Sequence, residues 1–156
     1  MEFGVYQGET INLIASLVEG VVYGFDSFEG LPEGWFHGRP AGHFSTQGRL
    51  PEVRANVTLI KGWFEDTLPP FLHENICPAK FIHIDSDIYS SAKTVLSNLR
   101  PRIIKGTVIV FDEFLIYPGW QQQEFKAFHE FIDQTGMSYK YLGFTPRHYS
   151  VATQIE

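Results

Sequence analysis

The 156 residues amount to about one domain, and a hydrophobic share of 44% is enough to fill one core, which excludes a disordered tail and a multidomain machine. Twelve Lys and Arg against 18 Asp and Glu give a net charge of -6, so no surplus of positive charge exists to neutralise a phosphate backbone, and nucleic acid is not an expected partner. A single cysteine, Cys77, cannot staple the fold, and the sequence shows no cationic leader or long apolar run. A soluble, cytoplasmic protein without membrane attachment is expected.

Along the chain, apolar runs alternate with helical periods, without repeats or low-complexity tracts. Residues 1–5 are the most that can supply a first strand. Gly4 and Gly8 then precede a helix over 9–18, and a strand over 21–25 runs into Asp26. The segment 29–49 crowds Gly, Pro and polar residues and reads as a long binding loop or lid, with His37 and His43 in it as candidates for holding substrate. Runs at 57–60, 81–84 and 107–111 are continuously apolar, as parallel strands buried on both faces should be. Helices are expected over 90–103, broken near its end by Pro101, and over 121–134, closed by Gly136. Strands over 139–144 and 149–155, around the turn Thr145-Pro146-Arg147, make a terminal antiparallel hairpin. The order is βαβ-like, and the fold class is α/β with a mostly parallel sheet.

Glu2, Gly4 and Gly8, followed roughly twenty residues later by Asp26, have the spacing of a nucleoside-binding βαβ unit. Glycines let the backbone approach a ligand, the helix start offers free N–H groups, and an acid ending the second strand can accept two ribose hydroxyls. A carboxylate at Glu2 would repel a pyrophosphate but favour an ammonium and a sulfonium, so S-adenosylmethionine fits better than NAD. A pair of turn glycines and a surface acid would leave the same pattern.

A second signal is the run FIHIDSDIY, with Asp85 and Asp87 at the end of one strand, and TVIVFDEF, with Asp112 and Glu113 at the end of the next. Ligands bind at the carboxyl ends of such strands, which lie only about 4.8 Å apart, so four carboxylates there would repel one another unless a cation sat among them. All-oxygen donors suit Mg2+. Helix capping explains one of the acids, Asp87 ahead of Ser90, but not four.

The motifs EFGVYQGET, YGFDSFEGLPEGW, IKGWFEDTLP, HIDSDIYSS and VIVFDEF, in this order, resemble the macrocin O-methyltransferase family across nearly the whole chain. The resemblance implies a class I, Rossmann-like methyltransferase fold of sheet order 3-2-1-4-5-7-6. It implies methyl transfer from S-adenosylmethionine to a hydroxyl of a small-molecule acceptor, a sugar or natural product, with Mg2+. It further implies that Glu2, Gly4 and Gly8 line the methionine part of the cofactor, that Asp26 holds the ribose, and that Ser27, Gly62, Trp63 and Phe64 surround the adenine. Asp85, Asp112 and Glu113 would be metal ligands and Asp87 the general base. Trp63 and Phe64 could equally be core aromatics, and Trp120 a substrate wall or a packing staple; Cys77 reads as structural. The family commonly has two adjacent aspartates where this chain has Asp112-Glu113. It also has helices and a full first strand upstream, so a domain shortened at its N-terminus and prone to self-association is expected. The motif Asp85-Ser86-Asp87 also suits a D-x-D glycosyltransferase or a phosphatase, and a non-catalytic cofactor-binding module is a third alternative.

Overall fold

Five of the apolar runs become parallel strands: β1 (Glu2–Phe3), β2 (Val22–Asp26), β3 (Val57–Lys61), β4 (Phe81–Ile84) and β5 (Val108–Phe111). The computed structural model describes residues 1–36, 38–145 and 149–156. β6 (Tyr139–Phe144) and β7 (Val151–Ile155) pair antiparallel, and β7 also lies antiparallel to β5. The sheet order is β3-β2-β1-β4-β5-β7-β6, as expected. Of the hairpin turn, Pro146 and Arg147 fall outside the described residues, as does His37.

Although only two residues long, β1 is paired on both sides: Glu2 stands opposite Gly24 and His83, and Phe3 opposite Phe25 and Ile84. Helices α1 (Glu9–Ser16), α2 (Phe64–Glu74), α3 (Tyr89–Leu99) and α4 (Glu124–Thr135) cover the sheet. α1 buries Ile11 and Ala15 in a small cluster with Val5, Val22 and Phe28. The larger core gathers Phe3, Phe25, Ile82, Ile84, Ile109 and Phe111 from the strands with Leu68, Val95, Leu96 and Phe128 from α2, α3 and α4. This division follows the strand period of two: Val22 and Gly24 face α1, and Phe25 faces the other helices.

Three differences from the expected elements have physical causes. The helix over 90–103 ends as α3 at Leu99 and continues as a 3-10 turn at Arg100–Arg102, because Pro101 lacks the N–H that would extend the α-helix. The helix over 121–134 is split into a 3-10 turn at Trp120–Gln122 and α4, with Gln123 between them at φ -108° and ψ -132°; Gly136 closes α4 at φ 68°. α2 was not expected at all. It contains Pro69 and Pro70, which remove two backbone donors, yet it forms because Leu68 and Leu72 are buried in the main core.

Candidate active site

The loop between β1 and α1 is held against two strand ends. Gly4 donates its N–H to Phe25 O at 3.0 Å and takes φ 92°, and it lies so close to β4 that a Cβ added to it would stand 1.8 Å from Asp85 O. Gly8, at φ 83°, starts α1 and is buried near Pro51 and Val53. Asp26 Oδ2 accepts the N–H groups of Val5 and Tyr6, both at 2.8 Å, and its Oδ1 accepts that of Phe28 at 2.7 Å. Three of the carboxylate's roughly four acceptor sites are thus filled by backbone, and Asp26 ties the glycine loop to the end of β2.

Above these strand ends opens a cavity of about 650 Å³. Gly4, Asp26, Ser27, Gly62, Trp63 and Phe64 line it, together with Asp85, Asp87, Asp112 and Glu113. Glu2 and Gly8 stand outside its wall. Glu2 is 0% exposed, its Oε1 3.0 Å from His83 Nδ1 on the neighbouring strand. Burial works against the His83 cation, but the hydrogen bond and charge of Glu2 outweigh it and raise the imidazole's pKa.

Described residues between Ser27 and the start of β3 pack over the cavity. Leu31 and Trp35 are buried with Ile88 and Tyr117, and Phe36, Phe44 and Trp120 pack against them. The Arg39 guanidinium lies 4.8 Å from the Trp35 ring and 5.2 Å from that of Phe44, and Arg39 is the one cationic side chain among the described residues of the cavity wall. His43 is exposed, its ring against Phe44, and is not part of the wall. Trp120 edges onto Phe125.

The acids are arranged by the turn after β4. Asp87 has φ 64°, and Ile88 donates its N–H to Ser86 O at 2.6 Å, a three-residue γ-turn with Asp87 at its apex. Such strain, of order 1–3 kcal/mol, concentrates at functional sites. The turn brings Asp87 back beside Asp85, and one carboxylate oxygen each from Asp85, Asp87 and Glu113 lie within 4.8 Å of one another. Asp112 shares the cavity wall, with its Oδ1 accepting from Ser150 Oγ at 3.1 Å. Glu113 Oε2 is buried with no partner among the described residues.

Burial and mutual repulsion make full ionisation of this group unfavourable. Burial, reinforced by the Asp112 charge, pushes Asp85 up to about 8. Burial and the charges of Asp87 and Asp112 push Glu113 up to about 10. Asp87 is raised by burial to only about 6, because the Arg39 charge and a hydrogen bond with Glu113 hold it down. Sequence reasoning missed Glu124, which is fully buried next to this group; burial, then the charges of Glu113 and Asp87, raise it well above the usual carboxylate range. Its signal was present: positions 124, 127, 128 and 131 form the buried stripe of α4.

A methyltransferase domain family matches residues 1–114. Over 160 residues the chain is 25% identical to the demethyldecarbamoylnovobiocin O-methyltransferase of Streptomyces niveus, covering 86% of this chain and 60% of that protein. The chain therefore spans well under two thirds of that relative's length. Among solved structures it is similar to the calicheamicin methyltransferase CalS11, at a TM-score of 0.72 and 25% identity over 99% of this chain and 70% of that one. It shares its fold, at a TM-score of 0.62 and 16% identity over 99% of this chain and 44% of the other, with the mycinamycin-pathway methyltransferase MycE, solved with Mg and S-adenosylhomocysteine. These likenesses agree with the expected resemblance, and they do not favour the glycosyltransferase or phosphatase readings. No helix among the described residues is long and apolar enough to cross a membrane.

Proposed function

The chain belongs to the methyltransferase domain family, and from that premise we propose that it transfers the methyl group of S-adenosylmethionine to a hydroxyl of a sugar or other small natural product, with a divalent cation, Mg2+, at the acid cluster. The observation that carries the reading is that one cavity has both the glycine loop and the four acids in its wall. Its volume is in the range of small-molecule and cofactor sites. The acid cluster fits a hard cation: its donors are all oxygens, those of Asp85, Asp87 and Glu113 converge, and Glu113 Oε2 is buried with no partner among the described residues. The cofactor would supply the electrophilic methyl group, and the cation would lower the pKa of the acceptor hydroxyl.

The residues then take distinct parts. Gly4 lets the loop lie against β4, and Asp26 fixes that loop while keeping about one acceptor site for a ribose hydroxyl. Ser27, Gly62, Trp63 and Phe64 form the adenine side, and an aromatic face is a good base platform. Glu2 and Gly8 support the methionine end from behind the wall. Asp85 and Glu113 would hold the cation beside Asp87, and Asp112 would join them from the same cavity wall. Asp87 accepts the hydroxyl proton, since of Asp85, Asp87 and Glu113 it is the one held low enough to be ionised at neutral pH. Leu31, Pro32, Arg39 and Phe44 shield the cavity from water. The exposed free thiol of Cys77 suits a cytoplasmic setting.

The test is transfer of labelled methyl from S-adenosylmethionine into a panel of glycosides and phenols. Transfer is expected to stop on chelation and to return with Mg2+. Asp87→Asn is expected to keep cation binding while slowing transfer by roughly 10²–10⁴-fold. Undiminished transfer after exhaustive chelation would remove the cation from the reading, and cofactor binding without turnover on any acceptor would favour a non-catalytic module.

A further inference from the structure

The γ-turn that carries Asp85 and Asp87 is not self-sufficient. Asp87 is held at positive φ, and the N–H groups of Ser86 and Tyr89 point away from the sheet ladder and must find acceptors elsewhere. Both acceptors come from the start of α4. Glu124 Oε1 accepts the Ser86 N–H at 3.2 Å, and Gln123 Oε1 accepts the Tyr89 N–H at 2.9 Å. The break in the helix at Gln123 lets two adjacent side chains reach the same loop, where a continuous helix would separate their directions by about 100°. An acid in the first turn of a helix ordinarily faces solvent, where it meets the helix dipole at no desolvation cost. Glu124 is instead 0% exposed, with Oε2 buried and unpartnered among the described residues. Packing alone would be served by an apolar side chain at this place on the stripe.

We propose that Glu124, with Gln123 beside it, is a positioning residue that clamps the Asp85-Ser86-Asp87 turn in its strained shape and so sets the spacing of the carboxylates for a divalent cation. Glu124 contacts neither the cation nor the substrate and acts through the Ser86 N–H. The metal part of this inference rests on the function proposed above; the clamp itself does not.

Two substitutions separate a positioning role from a packing role. Glu124→Gln keeps an acceptor oxygen in the same shape. Glu124→Met keeps the volume but removes the acceptor and leaves the Ser86 N–H without a partner, a loss that the removal of a buried carboxyl partly offsets. Mn2+ titration of the full chain is expected to give Glu124→Gln an affinity within about threefold of the parent. Glu124→Met is expected to stay folded with only a modest fall in melting temperature, yet to bind Mn2+ roughly 10–100-fold more weakly. Hydrogen exchange of the 85–89 amides, measured without metal, is expected to speed up in Glu124→Met and to stay slow in Glu124→Gln. Unchanged exchange in Glu124→Met, equal Mn2+ affinity in Glu124→Met and the parent, or equal losses in both variants would overturn the proposal. Faster exchange in Glu124→Met, in a parent chain that binds no Mn2+, would uphold the clamp and defeat the metal reading.

Discussion

Replacing Gly4 by alanine is expected to lower Tm by about 10 °C or more and to abolish binding of S-adenosylhomocysteine. The new Cβ would lie 1.8 Å from Asp85 O, a backbone atom that cannot turn aside as a side chain would. Relief requires β1 to move away from β4. That movement breaks the Asp85 N–H bond to Phe3 O and the pairing of Phe3 with Ile84, and it opens the wall between the glycine loop and the acids. Alanine at φ 92° adds a conformational penalty of its own. Strain and lost ladder bonds together come to roughly 4 kcal/mol or more, and each kcal/mol shifts Tm by about 2–4 °C in a domain of this size. Gly20, which has nothing within 4 Å of an added Cβ, provides the control and should tolerate alanine. Differential scanning calorimetry of the two variants checks the expectation; a Gly4→Ala chain that melts with the parent and still binds the ligand would contradict it.

The second large effect is on stability against pH. The folded protein without cation holds Asp87, Asp85 and Glu113 protonated up to about 6, 8 and 10, all because of burial first, whereas the unfolded chain releases these protons near pH 4. Between about pH 4 and pH 10 the folded state therefore binds more protons than the unfolded state at these groups, and their contribution to stability falls as pH rises through that window. Each such proton costs about 1.4 kcal/mol per pH unit. One group kept protonated in the folded state throughout pH 5 to 8 costs about 4 kcal/mol over that range, so Tm should fall by at least about 10 °C. A divalent cation competes with the protons, so the rise in Tm produced by Mg2+ should be larger at pH 8 than at pH 5. Asp85→Asn should flatten the pH dependence and remove most of the Mg2+ effect. If Asp85→Asn keeps the parent's slope and its Mg2+ response, the acids are not the groups responsible.

Much of this was legible in the chain because the relevant signals are local. Continuous apolar runs marked the buried parallel strands, and Gly136 marked the end of α4, since a left-handed residue there is cheapest as glycine. The acids at the ends of β4 and β5 converge because neighbouring strand ends must. What stayed hidden depended on partners distant in sequence. α2 was obscured by Pro69 and Pro70, whose local cost is overridden by the burial of Leu68 and Leu72. Asp26 read as a ligand-facing acid, and only the folded chain reveals that Val5, Tyr6 and Phe28 occupy most of its acceptor sites. The stripe of α4 runs through Glu124, but only the fold shows its carboxylate turned onto the Ser86 N–H. Arg39 sits in a loop with no period at all, where only the stack of Trp35 and Phe44 fixes its direction.

Cofactor and cation are expected to occupy one cavity side by side. That placement is tested most directly by carbon NMR of S-adenosylmethionine labelled at the methyl group and bound to the chain, first with Mg2+ and then with Mn2+. Paramagnetic Mn2+ at the acid cluster is expected to broaden the bound methyl signal strongly in the parent and not in Asp85→Asn. A bound methyl signal of the same width with Mn2+ as with Mg2+ would contradict the account, because the two groups would then not share the site.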